Sequence, residues 1–183
     1  MAYLRLVRDV AAAHHAAEDP CFDAFEREVD YVLRTLWRLG AKAQEVDDLC
    51  QEVYLALRHT WASYDVRRPL RPYLFGLVFR VVVTYRRQWR REIPRASFEI
   101  EDVQRPPDAL LAAKQDRILL LAALEQVPLA RRAVLIMRDF DDVPMLEIAA
   151  TLSIPRFTAY SRLRKARREL AAAVGALLEG TER

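Results

Sequence analysis

Arginine dominates the chemistry available to this chain. Of its 29 basic side chains only Lys42, Lys114 and Lys165 are lysine. A guanidinium pairs bidentately with phosphate and with the edges of guanine. The arginines are concentrated in two places. Arg80, Arg86, Arg87, Arg90 and Arg91 follow one another with no acid between them, giving residues 80–91 a charge of +5. Arg156, Arg162, Arg164, Lys165, Arg167 and Arg168 crowd residues 153–170 against Glu169 alone, again +5. The whole chain carries only +3, so the remainder sums to −7. Two positive segments on an acidic body are the distribution expected of two separate contacts with nucleic acid. For either segment alone, a solvated helix face is the alternative.

Spacing sharpens the second segment. At 100° per residue, Ala159, Leu163, Ala166 and Leu170 share a narrow apolar face. Phe157, Ser161, Arg164 and Arg168 fall opposite, flanked by Tyr160 and Lys165. A short helix with Ile148, Ala149 and Leu152 on its packing side precedes it across a tight turn. This is helix-turn-helix spacing. Its second helix would lie in the major groove, where Arg and Lys bond guanine and Tyr or Phe touch thymine methyls. Arg156, Arg162 and Arg167 would hold phosphate and fix register; an ordinary helical hairpin with a basic surface is the alternative.

In the first segment Arg80, Thr84, Arg87 and Arg91 align on one face, with Arg86 and Arg90 beside them, a stripe able to track a phosphate backbone. Trp61, Tyr64 and Tyr73 lie in or next to the loop before it. Aromatics beside a basic groove suit stacking on unpaired bases, while Trp61 and Tyr73 could equally fill the core. A third surface differs in kind. Asp48, Gln51 and Glu52 share a face opposite an apolar stripe. Such a patch repels DNA and suits a basic protein partner, or is simply solvated.

The elements that must position these groups are helical. Phe22, Phe25, Val29, Leu33 and Leu36 recur at helical spacing, as do Val46, Leu49, Cys50, Val53 and Leu57. Tyr73, Leu77, Val81, Tyr85 and Trp89 form a third stripe, widened by Leu74 and Val78. Gly40 suits the position just past a helix end. Residues 93–108 carry three prolines and four acids against two bases, without periodicity, and read as an extended acidic linker. Helices are expected over 110–124, 129–140, 145–152 and 155–178, with a turn at Asp141, Asp142 and Pro144. Ser153 is a candidate N-cap before Pro155. The expected fold is all-α: two small helical domains, over 21–92 and 110–183, joined by a linker over 93–109 and preceded by a leader over 1–20.

Composition excludes much. A chain 52% hydrophobic with 4 Gly and 9 Pro is neither disordered nor collagen-like. Its apolar runs are too short to span a bilayer, and charges interrupt any secretory signal at the N-terminus. Cys21 and Cys50 cannot form a disulfide framework, so a cytoplasmic protein is expected. His14, His15 and Cys21 make at most part of a metal site. No Gly-rich phosphate loop or nucleophile motif is present. No catalysis, metal or cofactor is expected.

Taken together, the segments DDLCQEVYLALRHTW, RPYLFGLVFRVVVTYRRQWRR, LEQVPLARRAVLIMRDF and LEIAATLSIPRFTAYSRLRKARREL resemble regions 2 and 4 of the extracytoplasmic-function (ECF) sigma factors of bacterial RNA polymerase. The order and spacing of these segments, with an acidic stretch between, carry the resemblance over roughly residues 22–92 and 113–172. It implies that Asp48, Gln51 and Glu52 dock on the polymerase clamp. Tyr64, the following loop and Arg80 would hold unpaired bases of the −10 element. Arg86, Arg87, Arg90 and Arg91 would contact the adjoining backbone. Arg156, Thr158, Tyr160, Ser161, Arg164, Lys165 and Arg168 would lie at the −35 element. Core RNA polymerase, through clamp and flap, promoter DNA and an anti-sigma factor are the implied partners, with no membrane insertion.

The chain departs from the family pattern in several places. Arg80 stands where the family usually has Asn, and Tyr73 replaces a usual Trp. Phe157 and Tyr160 replace a Gly and a basic residue. Asp141-Asp142 replaces a turn that usually contains Gly. An atypical −35 sequence is expected from these differences. Two other readings stay open: a sigma-like decoy that sequesters an anti-sigma factor, and a conventional helix-turn-helix regulator that needs no polymerase.

Overall fold

The computed structural model describes residues 19–92 and 108–181. The expected leader, up to residue 18, and the expected linker, over 93–107, lie outside the described residues, as do the side chains at 89–92. No strand occurs among the described residues.

Helix α1 spans Pro20–Arg38. Its start is fixed locally: the Asp19 carboxylate accepts from the Cys21 and Phe22 amides at 3.0 and 3.4 Å, and Pro20 opens the first turn. Its end is equally local. Gly40 adopts φ +88, letting its amide return to the Trp37 carbonyl and that of Ala41 to Leu36, at 2.9 and 3.0 Å. Helix α2 spans Val46–Thr60 and runs into a 3-10 turn, Trp61–Ser63. Helix α3 spans Leu70–Glu92, with buried Pro72 in its first turn.

These three helices pack pairwise. The expected stripe of α2 is buried throughout, whereas on α1 only Phe25 and Leu36 of the expected stripe are buried, joined by Tyr31, Val32 and Leu39, and Phe22, Val29 and Leu33 are partly covered. The α3 stripe is rotated from its expected centre: Leu74, Phe75, Leu77, Val78 and Val82 are buried, while Tyr73, Val81 and Tyr85 are only partly covered. The rotation follows from burying α3 on more than one side, since it packs on α1, α2 and an element of the second half.

Helix α4 (Asp108–Gln126) leads to α5 (Leu129–Leu135), which continues into a π-helical turn, Ile136–Phe140. Then come α6 (Met145–Thr151) and the long α7 (Arg156–Thr181). At seven residues α6 is too short to be stable by propensity. Burial of Met145, Ile148 and Ala149 holds it, at roughly 1.5–3 kcal/mol for each fully buried large side chain. Ser153 is not an N-cap. It has φ +51 and ends α6: its amide bonds the Ala150 carbonyl at 3.1 Å and the next amide, Ile154, bonds Ala149 at 2.9 Å. The same wrapped end is built at Gly40, here with a residue that pays a left-handed strain.

Helix α7 lies across α4, α5 and α6. The two halves also pack on each other, α1 against α4 and α3 against α6, so one cluster of buried residues runs from Phe25 and Phe75 through to Met137 and Ile148.

Candidate nucleic-acid interface

Helices α6 and α7 form the helix-turn-helix. Ala159, Leu163 and Ala166 are buried against its core, which turns the opposite face of α7 to solvent. Arg156, Arg164, Lys165 and Arg168 are exposed there, and Thr158 and Ser161 are half-buried. Phe157 is 85% exposed and Tyr160 49%. An aromatic that open has no packing role in this fold. The Arg156 guanidinium lies 6.0 Å from the Tyr160 ring centroid, a loose cation–π contact. Phe157, Tyr160, Ser161, Arg164 and Arg168 line one open groove together with Leu163 and Arg167.

The basic side chains of α7 are not equivalent. The Arg167 guanidinium donates to Asp139 on the π-helical turn at 2.6 and 2.9 Å, so its expected phosphate contact competes with an existing ion pair. Arg131 on α5 pairs with Glu169 at 2.7 Å. These bridges fix the roll of α7 and leave Arg164, Lys165 and Arg168 presented to solvent.

On α3, Arg80, Thr84 and Arg87 are exposed along one face. Arg86 is turned the other way. Its Nη2 donates to the Leu39 and Gly40 carbonyls at 2.8 and 3.1 Å, at the negative end of α1. The side chains of Arg90 and Arg91 lie outside the described residues. Before α3, the Trp61 and Tyr64 rings stack at 5.4 Å and Tyr64 meets Tyr73 at 4.8 Å. The Tyr64 hydroxyl donates to the Arg68 carbonyl, closing the loop, and burial raises its pKa above the ordinary phenol value. Trp61 and Tyr73 are therefore both core-facing and part of an aromatic ledge. Asp48, Gln51 and Glu52 are all exposed on α2, opposite buried Leu49, Cys50 and Val53.

Sequence reasoning missed the residues that join the halves: Tyr31, Arg38, Arg132 and Asp141. Arg132 is 3% exposed and donates to the carbonyls of Val127, Glu125 and Leu39. Burial, and then the Arg86 charge beside it, lower its pKa to about 10. Asp141 faces α1, bonded to Tyr31 and Arg38, while the Asp142 side chain is exposed beside Arg138. The family difference at that turn was the one available signal, and it pointed to a contact within the chain.

Comparison with known proteins matches residues 24–92 to the Sigma-70 region 2 family and residues 117–170 to the Sigma-70 region 4 family. The ECF RNA polymerase sigma factor SigL of Mycobacterium tuberculosis is 32% identical over 159 residues, 85% of this chain and 89% of SigL. SigM of the same organism is 26% identical over 173 residues, 94% of this chain and 86% of SigM. Among solved structures, CnrH in complex with the cytosolic domain of CnrY has a TM-score of 0.63 at 20% identity, covering 94% of this chain and 97% of CnrH. The sigma factor RpoE of Bartonella quintana, in complex with the anti-sigma factor NepR, has the same score and identity over 83% of this chain and 97% of RpoE. An all-helical chain with region 2 ahead of region 4, more than 30% identical to SigL over nearly all of SigL's length, belongs to the ECF RNA polymerase sigma factors.

Proposed function

We propose that this sigma factor joins core RNA polymerase through the exposed Asp48, Gln51 and Glu52 face of α2 and reads promoter DNA through two separate basic surfaces. The observation that carries the reading is the outward face of α7. Arg164, Lys165 and Arg168 stand beside an 85% exposed Phe157, with the apolar side of the same helix buried. At the −35 element, Arg164 and Arg168 would bond base edges, Phe157 and Tyr160 would touch thymine methyls, and Arg156, Thr158, Ser161 and Lys165 would complete the contact. At the −10 element, Tyr64 and Arg80 would hold extruded bases, with Thr84, Arg87, Arg90 and Arg91 along the adjoining backbone and Arg86 joining them on release from α1. Opening the duplex costs stacking energy that capture of bases offsets. The chain itself needs no covalent chemistry.

The proposed organisation is a region 2 domain over 21–92, a linker over 93–109 and a region 4 domain over 110–183, after a leader over 1–20. No described helix is long and apolar enough to cross a membrane, and a cytoplasmic setting fits a polymerase partner. An anti-sigma factor is a further proposed partner. Run-off transcription with core enzyme on genomic fragments tests the proposal. Discrete new start sites are expected. Core binding without transcripts would point to the decoy reading, and no core binding would reject both.

A further inference from the structure

One side chain on α7 has no use in the fold. The Phe157 ring is 85% exposed, the most open large apolar side chain among the described residues. A phenyl ring left in water forgoes the stabilisation that burial would bring. The fold nevertheless holds it outward. Phe157 is the second residue of α7. The turn before it is closed by the Ser153 and Ile154 amides, which bond the Ala150 and Ala149 carbonyls at 3.1 and 2.9 Å. Ala159, two residues on, is fully buried, and the Arg167–Asp139 pair at 2.6 Å fixes the roll of the helix. With Tyr160, Ser161 and Arg164, Phe157 lines one open groove. Arg164 is exposed two turns further along the same face, about 10 Å away by the helical rise.

We propose that Phe157 makes this sigma factor a reader of a pyrimidine C5 methyl group at one base pair of the −35 element, so that 5-methylcytosine serves there in place of thymine. The inference rests on the promoter reading above and specifies its chemistry. Exposed Arg164, Lys165 and Arg168 around the groove make duplex DNA, not an apolar peptide, its occupant. A recognition helix presents its N-terminal residues to base edges, which puts Phe157 deepest in the major groove. A phenyl ring neither donates nor accepts an ordinary hydrogen bond, so it cannot read the donor and acceptor code. The one apolar group that the base pairs show in that groove is the thymine methyl. A cytosine methylated at C5 carries the same methyl at the same carbon. The two pyrimidines then differ at C4, an acceptor oxygen in thymine and an amino donor in cytosine, and the ring has nothing with which to sense that difference. Phe157 therefore selects the methyl and not the base. Arg164 supplies the polar half of the readout, at a guanine about three base-pair steps away. Burying one methyl against the ring corresponds to about fourfold in affinity, so cytosine methylation at this pair tunes promoter binding by that factor.

Competition binding by the holoenzyme tests this, on promoters found by run-off transcription. Each thymine of the −35 element, on either strand, is replaced singly by uracil, which lacks only the methyl. One position is expected to lose about fourfold in affinity. With a C·G pair placed at that position, 5-methylcytosine should bind about fourfold better than cytosine. Phe157→Ala should bind the thymine and uracil forms alike, and the two cytosine forms alike. Arg164→Ala, which removes a contact at a separate base pair, should weaken binding yet keep both differences. Uracil matching thymine at every position, 5-methylcytosine gaining nothing over cytosine, or Phe157→Ala keeping either difference overturns the inference. A holoenzyme that binds no promoter at all rejects the promoter reading itself.

Discussion

At the scale of single residues, exposure separates the side chains able to meet DNA from those that hold the fold. Arg164 is exposed on the α7 face opposite Ala166, whereas Arg167, three residues on, is tied to Asp139 at 2.6 Å. Substituting Arg164 by Ala should therefore cost about 1–3 kcal/mol of binding to the cognate promoter and relax discrimination within the −35 element. Competition binding on matched and mismatched −35 sequences checks this. Equal losses on every sequence would mean that Arg164 holds phosphate. The outward set Phe157, Arg164 and Arg168 was legible in the sequence because helical periodicity alone places it opposite Ala159 and Leu163. The commitments of Arg86 and Arg167 were not legible. Both partners come from other elements, and nothing in the spacing of α3 or α7 reveals what a neighbouring helix end offers.

At the scale of elements, helix ends decide more than helix middles. The α1 terminus gathers three functions at one point: the reversal of the chain at Gly40, the Arg86 bonds and the Arg132 bond. A Cβ at position 40 would stand 2.6 Å from Arg86 Nη2 and 2.7 Å from Arg132 Nη1. Gly40→Ala adds left-handed strain and displaces both guanidiniums, so it should destabilise the protein by about 2 kcal/mol or more. Urea unfolding checks this; an unchanged midpoint would mean that the guanidiniums re-form their bonds without cost. The role of Gly40 as a helix stop was legible, because a glycine after a periodic run has a local cause. Its role as a close-approach site was not, because the approaching groups lie 46 and 92 residues away.

At the scale of the whole molecule, the interface between halves contains a titrating group. Burial raises the Asp141 pKa above its ordinary 3.8, against the Tyr31 hydrogen bond and the charges of Arg38, Arg71 and Arg34, which pull it down. A raised carboxyl pKa means that the folded form retains the proton where the unfolded form has lost it. Its stabilising contribution is full below pH 3.8 and is lost as pH rises through the raised value. Unfolding midpoints for the unsubstituted chain and Asp141→Asn, compared from about pH 3.5 to 6, should diverge in that sense. The asparagine variant lacks this loss as pH rises. A difference of the opposite sign would show that the arginines, not burial, dominate at this site.

The sequence by itself determined the helices, the two basic surfaces, the acidic–amide face and the family pattern. Each of these is written in local periodicity or residue order, and short-range physics suffices to read them: helix spacing, caps and charge runs. Only the tertiary structure decided that α3 is buried around more of its circumference than its stripe indicates, that Arg86 and Arg167 are engaged, and that Asp141 joins region 4 to region 2. Those outcomes depend on pairs such as Tyr31 and Asp141, 110 residues apart. Their meeting is set by how packed helices settle against one another, a property that no single segment carries.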